Sequence, residues 1–238
     1  MHAQGLIAKS FVPFTSLFLL LALLGNTTLA QGVANRPQPT RSTVPVGSDV
    51  DLQLSRVYIR VGKTGLGHEH GVEGRLTSGS IQLGATQNAG ELVFDMLTFT
   101  ADTHTARTRV GLTGETDAGT QKKVNANMRG PDVLDVTKYP QAVFHIRSAR
   151  LRNPSKPGEA ANYDLDGQFT LHGVARPLRL TAVVVSDKGR TGLHGRFTIV
   201  QSEYGITPYS TALGAIGVAD KLDIMGDLWM ASAPEVQR

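Results

Sequence analysis

The sequence predicts an all-β fold, an antiparallel barrel of about eight strands with a short helical insertion, and three observations carry that expectation. Eight short segments have alternating or continuously apolar character: 52–61, 71–83, 91–100, 142–151, 163–171, 178–185, 193–200 and 218–230. Such segments fit half-buried strands. Clusters of glycine and Asx residues at 62–67, 78–79, 88–90, 153–158 and 187–192 separate them, the punctuation of a closed barrel or sandwich. The 26 glycines follow no fixed long period, which sets repeat architectures aside.

The third observation is a hairpin over 163–185. Tyr163, Leu165, Phe169 and Leu171 fall on one parity, with Asp164, Asp166, Gln168, Thr170 and His172 on the other. Gly173 to Arg176 reads as the turn, and Pro177 as the first residue of the returning strand, where a missing N–H costs least. Leu178, Leu180, Ala182 and Val184 then resume the apolar face.

At the N-terminus one cation, Lys9, precedes an apolar run over 11–24 and a polar stretch that ends in Thr28-Leu29-Ala30. Residues 1–30 read as a secretory signal peptide cleaved after Ala30. The run is short of the roughly 20 residues a spanning helix needs, and it contains Pro13. Residues 31–48 form a proline-rich linker, 49–231 the folded domain and 232–238 a C-terminal tail. The expected address is periplasmic or secreted. The formal net charge is only +4 and its cations are scattered, so nucleic acid is not an expected partner. With no cysteine, disulfides, thiol catalysis and thiolate metal sites are excluded.

One stretch departs from strand character. Asp117 is placed to cap a helix running through Gln121, Val124 and Met128, and Pro131 to Asp135 suits a second turn. Lys138-Tyr139-Pro140 then forces extended backbone into the next strand. This insertion is expected to sit between strands as a plug or lid.

The apolar parities point to an interior lined by Leu54, Phe94, Met96, Phe144, Ile146, Leu165, Phe169, Leu180, Phe197, Ile199 and Ile224. An eight-stranded barrel is the size at which that interior is either filled by side chains or left open for one small ligand. Gly67-His68-Glu69-His70-Gly71 places two imidazoles on one face if extended, but the flanking glycines suggest a turn. The pair therefore reads first as polar surface or strand-end histidines, with a head-group contact or a two-ligand start to a metal site as alternatives. No spacing fixes a third ligand. His104, His145, His172 and His194 reach such a site only through the fold. Neither a Gly-x-Ser-x-Gly elbow nor a P-loop occurs.

Several segments, in order, resemble the YceI-like, polyisoprenoid-binding family of secreted bacterial proteins. They are His68 with Gly74-Arg-Leu76, Thr100-Ala-Asp-Thr-His-Thr-Ala-Arg107, and Pro131-Asp-Val-Leu-Asp-Val-Thr-Lys-Tyr-Pro-Gln-Ala-Val-Phe144. Phe169-Thr-Leu-His-Gly-Val-Ala-Arg-Pro-Leu178, Glu203-Tyr-Gly-Ile206 and Val218-Ala-Asp-Lys-Leu-Asp-Ile224 follow. The resemblance spans roughly residues 50–231. Leu76 stands where the family has an aromatic residue, and 110–126 lengthens a region that in the family carries a charged Arg-Asp motif.

The resemblance implies a lipocalin-like barrel whose tunnel holds an isoprenoid lipid, of quinone or polyprenyl type, as ligand. It implies no enzymatic activity and no cofactor besides that ligand. Contact with a membrane during lipid exchange is an implied partner interaction, and a homodimer is left open. Two rival readings stand beside it: a metal-dependent secreted enzyme built on His68 and His70, and a packed β-domain acting through protein partners.

Overall fold

The computed structural model describes residues 48–152 and 159–231. The expected signal peptide, the linker to residue 47 and the tail at 232–238 lie outside the described residues. The elements are β1 (Ser48–Asp49), β2 (Arg56–Gly65), β3 (His70–Ile81), β4 (Gly90–Ala101), α1 (His104–Arg109), α2 (Ala118–Arg129), β5 (Gln141–Leu151), β6 (Asn162–Leu171), β7 (Val174–Asp187), β8 (Arg190–Val200), β9 (Ser210–Thr211) and β10 (Ile216–Trp229).

The eight long strands close on themselves in the order β3, β2, β10, β8, β7, β6, β5, β4 and back to β3, every pair antiparallel. Closure removes the free sheet edge and turns one parity of every strand toward a shared interior. The all-β antiparallel barrel expected from the sequence is therefore the fold observed. At the end where β10 finishes, the buried Ser55 hydroxyl accepts from Trp229 N (2.9 Å), tying the start of β2 to the last strand.

Three local expectations need correction. The hairpin turn is His172-Gly173, not 173–176, since Leu171 pairs directly with Val174. Both turn residues have left-handed backbone (φ 50° and 74°), the geometry of a two-residue turn that matches strand twist. The Tyr139 ring packs 4.2 Å from the His172 ring and braces this non-glycine residue. Pro177 consequently lies inside β7, opposite Gln168. It is accommodated because β8 joins β7 only from Thr181 onward, which leaves the other edge of β7 unpaired at that point.

Leu54 is not in a strand. The Asp51 carboxylate accepts from the N–H groups of Gln53 (2.9 Å) and Leu54 (3.1 Å), which makes an Asx turn that delays β2 to Arg56. The third correction is α1, a helix absent from the expected elements and capped by the Thr103 hydroxyl, which accepts from Ala106 N.

The helix expected after Asp117 forms as α2, with the Asp117 carboxylate accepting from Thr120 N (3.0 Å). Its position follows from a strand edge left open. β5 accompanies β4 only as far as the pair Asp95 and Gln141, so the last residues of β4 have no neighbour on that side. A stripe on α2 takes the neighbour's place. Gln121 Nε2 donates to Ala101 O (3.0 Å), Asn125 Oδ1 accepts from Ala101 N (2.8 Å), and Arg129 donates to Phe99 O through Nε (2.8 Å) and Nη2 (2.6 Å). The spacing of four puts all three side chains on one helix face.

Gly167 allows β6 to pass the bulge in β5, because a Cβ there would stand 2.0 Å from the His145 carbonyl oxygen. Gly167→Ala is expected to lose about 1–3 kcal/mol of stability. The check is a lower urea midpoint at unchanged slope.

Candidate functional site

The inward parities enclose a cavity. Its wall is built from Val57, Ile59 and Val61 of β2, Leu92, Phe94 and Met96 of β4, Phe144 of β5 and Leu165, Phe169 and Leu171 of β6. Leu178, Leu180 and Ala182 of β7, Leu193, Phe197 and Ile199 of β8, and Leu222, Ile224 and Leu228 of β10 complete the ring. Val124 and Met128 of α2, with Val133 and Leu134 beyond it, cover one end. The cavity has a volume of about 190 Å³.

Phe169 fixes the middle of the wall. Phe94 (6.4 Å), Phe197 (6.4 Å) and Tyr204 (5.8 Å) meet its ring edge-on, the arrangement aromatic quadrupoles favour. Two glycines thin the wall elsewhere. A Cβ on Gly195 would press on Leu180 Cδ1 at 2.7 Å, whereas one on Gly226 would meet nothing within 4 Å. Gly226 pairs with the inward-facing Val57, so a side chain added there would enter the cavity.

Of the residues expected to line the interior, Phe94, Met96, Phe144, Leu165, Phe169, Leu180, Phe197, Ile199 and Ile224 do face this cavity. Ile146 does not. It is 2% exposed and packs in the filled part of the barrel opposite Gly167. Leu54 is 39% exposed in its turn and stands outside the wall.

The polar residues of the lining gather at one end. His70 opens β3, Asn127 belongs to α2, Gln201 follows β8 and Tyr209 precedes β9, all at the end where α2 sits. Asn127 and Tyr209 are exposed, so the cavity reaches solvent there, while Val57, Ala182, Leu193 and Leu228 close the far end and are buried.

His70 is held from behind. Its Nδ1 lies 2.7 Å from Asp102 Oδ2, and Asp102 Oδ1 accepts from Gly71 N (3.1 Å) and Arg107 Nη1 (3.1 Å). Asp102 sits at the end of β4 with left-handed backbone (φ 59°), and its own N–H donates to Gly71 O at 2.6 Å. The side chain of Asp102 is fully buried. Burial alone would raise its pKa, but the bonds from His70, Gly71 and Arg107 outweigh it and hold the carboxyl below the ordinary aspartate range.

The two histidines of Gly67 to Gly71 are not brought to one point. His68 stays exposed in the loop before β3 begins, where strand parity does not apply, and only His70 faces inward. The other histidines are dispersed. His104 lies 3.7 Å from Glu115, His145 2.6 Å from Glu91 and His194 3.1 Å from Asp227, while His172 packs on Tyr139. Among the described residues no three or more His, Asp or Glu side chains converge as metal ligands do.

Asp102 and Arg107 escaped the site reading of the sequence. Asp102 is 32 positions from His70, so no local spacing joins them. At the same end two loops project together: Leu66 N donates to Ala215 O (2.9 Å) and Gly65 pairs with Ile216. They present Leu66 (79% exposed), Leu213 (108%) and Ile216 (39%) to solvent.

The architecture is that of a closed barrel with an apolar interior and a polar mouth, and comparison with known proteins places it. The YceI-like domain profile matches residues 49–228, and the chain belongs to that family. A UPF0312 protein of Pectobacterium carotovorum is 32% identical over 87 residues, 34% of this chain and 42% of the relative. A second, from Pectobacterium atrosepticum, is 30% identical over the same shares, so the match spans less than half the length of these curated relatives. Among solved structures, a polyisoprenoid binding domain from Saccharophagus degradans covers 78% of this chain and 98% of its own, at 15% identity and a TM-score of 0.51. At that identity the likeness shows the fold.

The ionised Asp102 stabilises the fold above its unfolded pKa, and that contribution is lost as pH falls through its lowered folded pKa. Asp102→Asn is expected to cost about 3 kcal/mol at pH 7. The difference from wild type in urea unfolding should shrink as pH is taken below the usual aspartate range, about 4.

Proposed function

We propose that this protein is an exported carrier that holds the tail of an isoprenoid lipid, of quinone or polyprenyl type, along the barrel axis with its polar head at the His70 end. The observation that carries the reading is the asymmetry of the cavity: its wall is apolar along the barrel and polar at the mouth alone. Ligand sites of this kind pair a large apolar lining with a few placed polar groups. The leader-like segment at 1–30 supports export, and the description of the Saccharophagus degradans domain as polyisoprenoid-binding supports the ligand class.

Energetics shape the role. Burying a 40-carbon tail at roughly 0.8 kcal/mol per methylene would total on the order of 30 kcal/mol, beyond the roughly 20 kcal/mol at which non-covalent affinities saturate. The relevant competitor is the membrane, where the tail is equally buried. Retention and exchange at a bilayer follow, and the projecting Leu66, Leu213 and Ile216 beside the mouth suit a brief contact with lipid.

Lipid extracted from natively purified protein and identified by mass spectrometry tests the carrier reading. Gly226→Phe is expected to fold while displacing or shortening the bound tail, because the new ring enters open space. Wild-type protein without extractable lipid, together with a Gly226→Phe variant that merely melts at a higher temperature, would favour an interior that serves packing alone. Intact mass of the exported protein is expected to place its first residue at Gln31. Leu213→Glu should slow transfer of lipid between vesicles severalfold without altering the melting temperature.

A further inference from the structure

We propose that His70 reads the lipid head group as a hydrogen-bond donor, so that the cavity selects prenyl alcohols and quinols over the corresponding ethers and quinones. The inference rests on the lipid-carrier reading and adds the chemistry of the head. Asp102 is the source of the selectivity. An ionised carboxylate only accepts hydrogen bonds, so the 2.7 Å contact requires the proton of His70 to sit on Nδ1. In the neutral ring Nε2 is then a lone-pair acceptor.

The ring cannot readily exchange these roles. Asp102 is bonded to Gly71 N and to Arg107 Nη1 on its other oxygen, and its side chain has no exposed surface. Arg107 is committed in turn, donating to Thr113 O (2.6 Å) and Gly114 O (2.9 Å). The guanidinium thus holds the Asp102 carboxylate in place beside the imidazole. No protein hydrogen bond to Nε2 occurs among the described residues, and His70 belongs to the cavity wall. The His70 side chain is 15% exposed at the polar mouth, and an acceptor there that bonds no protein group is satisfied by a ligand that brings a hydroxyl. An ether or carbonyl oxygen at the same place would set lone pair against lone pair.

The test uses delipidated wild-type protein at pH 8. A prenyl alcohol and its methyl ether of equal chain length are partitioned from detergent micelles, followed by a quinol and its quinone. Wild type is expected to hold the alcohol about tenfold more tightly than the ether, the order of one net hydrogen bond, and the quinol above the quinone. His70→Phe should bind alcohol and ether alike, and His70→Gln, whose Oε1 still accepts, should restore part of the preference. Equal binding of alcohol and ether by wild type would overturn the role of His70 while leaving the carrier reading intact. Preference for the quinone would overturn it too, and assign the head group to a donor such as Tyr209. Binding of neither lipid would remove both readings.

Discussion

The mouth of this barrel is organised by a strand that outlasts its neighbour. β5 leaves β4 after Asp95, and the backbone groups of Phe99 and Ala101 would face solvent or an unpaired interior without a substitute. Unpaired buried backbone is costly, so a partner is required. Gln121, Asn125 and Arg129 provide it, and in doing so they seat α2 over the cavity and bring Val124 and Met128 into its wall. The same strand end places Asp102 beside Gly71 and His70. The lid, its share of the cavity wall and the seat of His70 thus meet where β5 stops short of β4.

The interior is neither a packed core nor an empty can. Ile146 and Ile81 fill one part of the barrel completely, and Phe169 with its aromatic neighbours stiffens the middle. Gly195 and Gly226 leave room where larger side chains would close it. Barrels of this strand number admit both outcomes, and small residues at particular wall positions decide between them.

The sequence made the strands legible because period-2 alternation survives in nearly all of them, and α2 because Asp117 is an ordinary helix cap followed by Val124 and Met128 on one face. Where the alternation was extended past its physical end, at Leu54, the Asx turn of Asp51 had already taken the backbone. Ile146 shows a different limit: parity says which way a side chain points, not whether the space it enters is full. The hairpin turn was misplaced by the attraction of Pro177 as a strand start, whereas an unpaired edge of β7 made room for it inside the strand. The least legible feature was the grip on His70. Asp102 and Arg107 meet it only through the closed sheet and a helix of six residues, whereas local spacing offers His70 no partner but His68.

Ring closure also sets an order of events in folding. β10 stands between β2 and β8, and the bond joining Ser55 to Trp229 links residues 174 positions apart. No shorter length of chain can complete the barrel, so the interior exists only once the last strand has docked. Long-range pairing of this kind slows folding and prolongs exposure of apolar strands. A nascent molecule must therefore remain unclosed until nearly all of it is available, and any lipid present at that moment meets an open, sticky sheet before it meets a cavity.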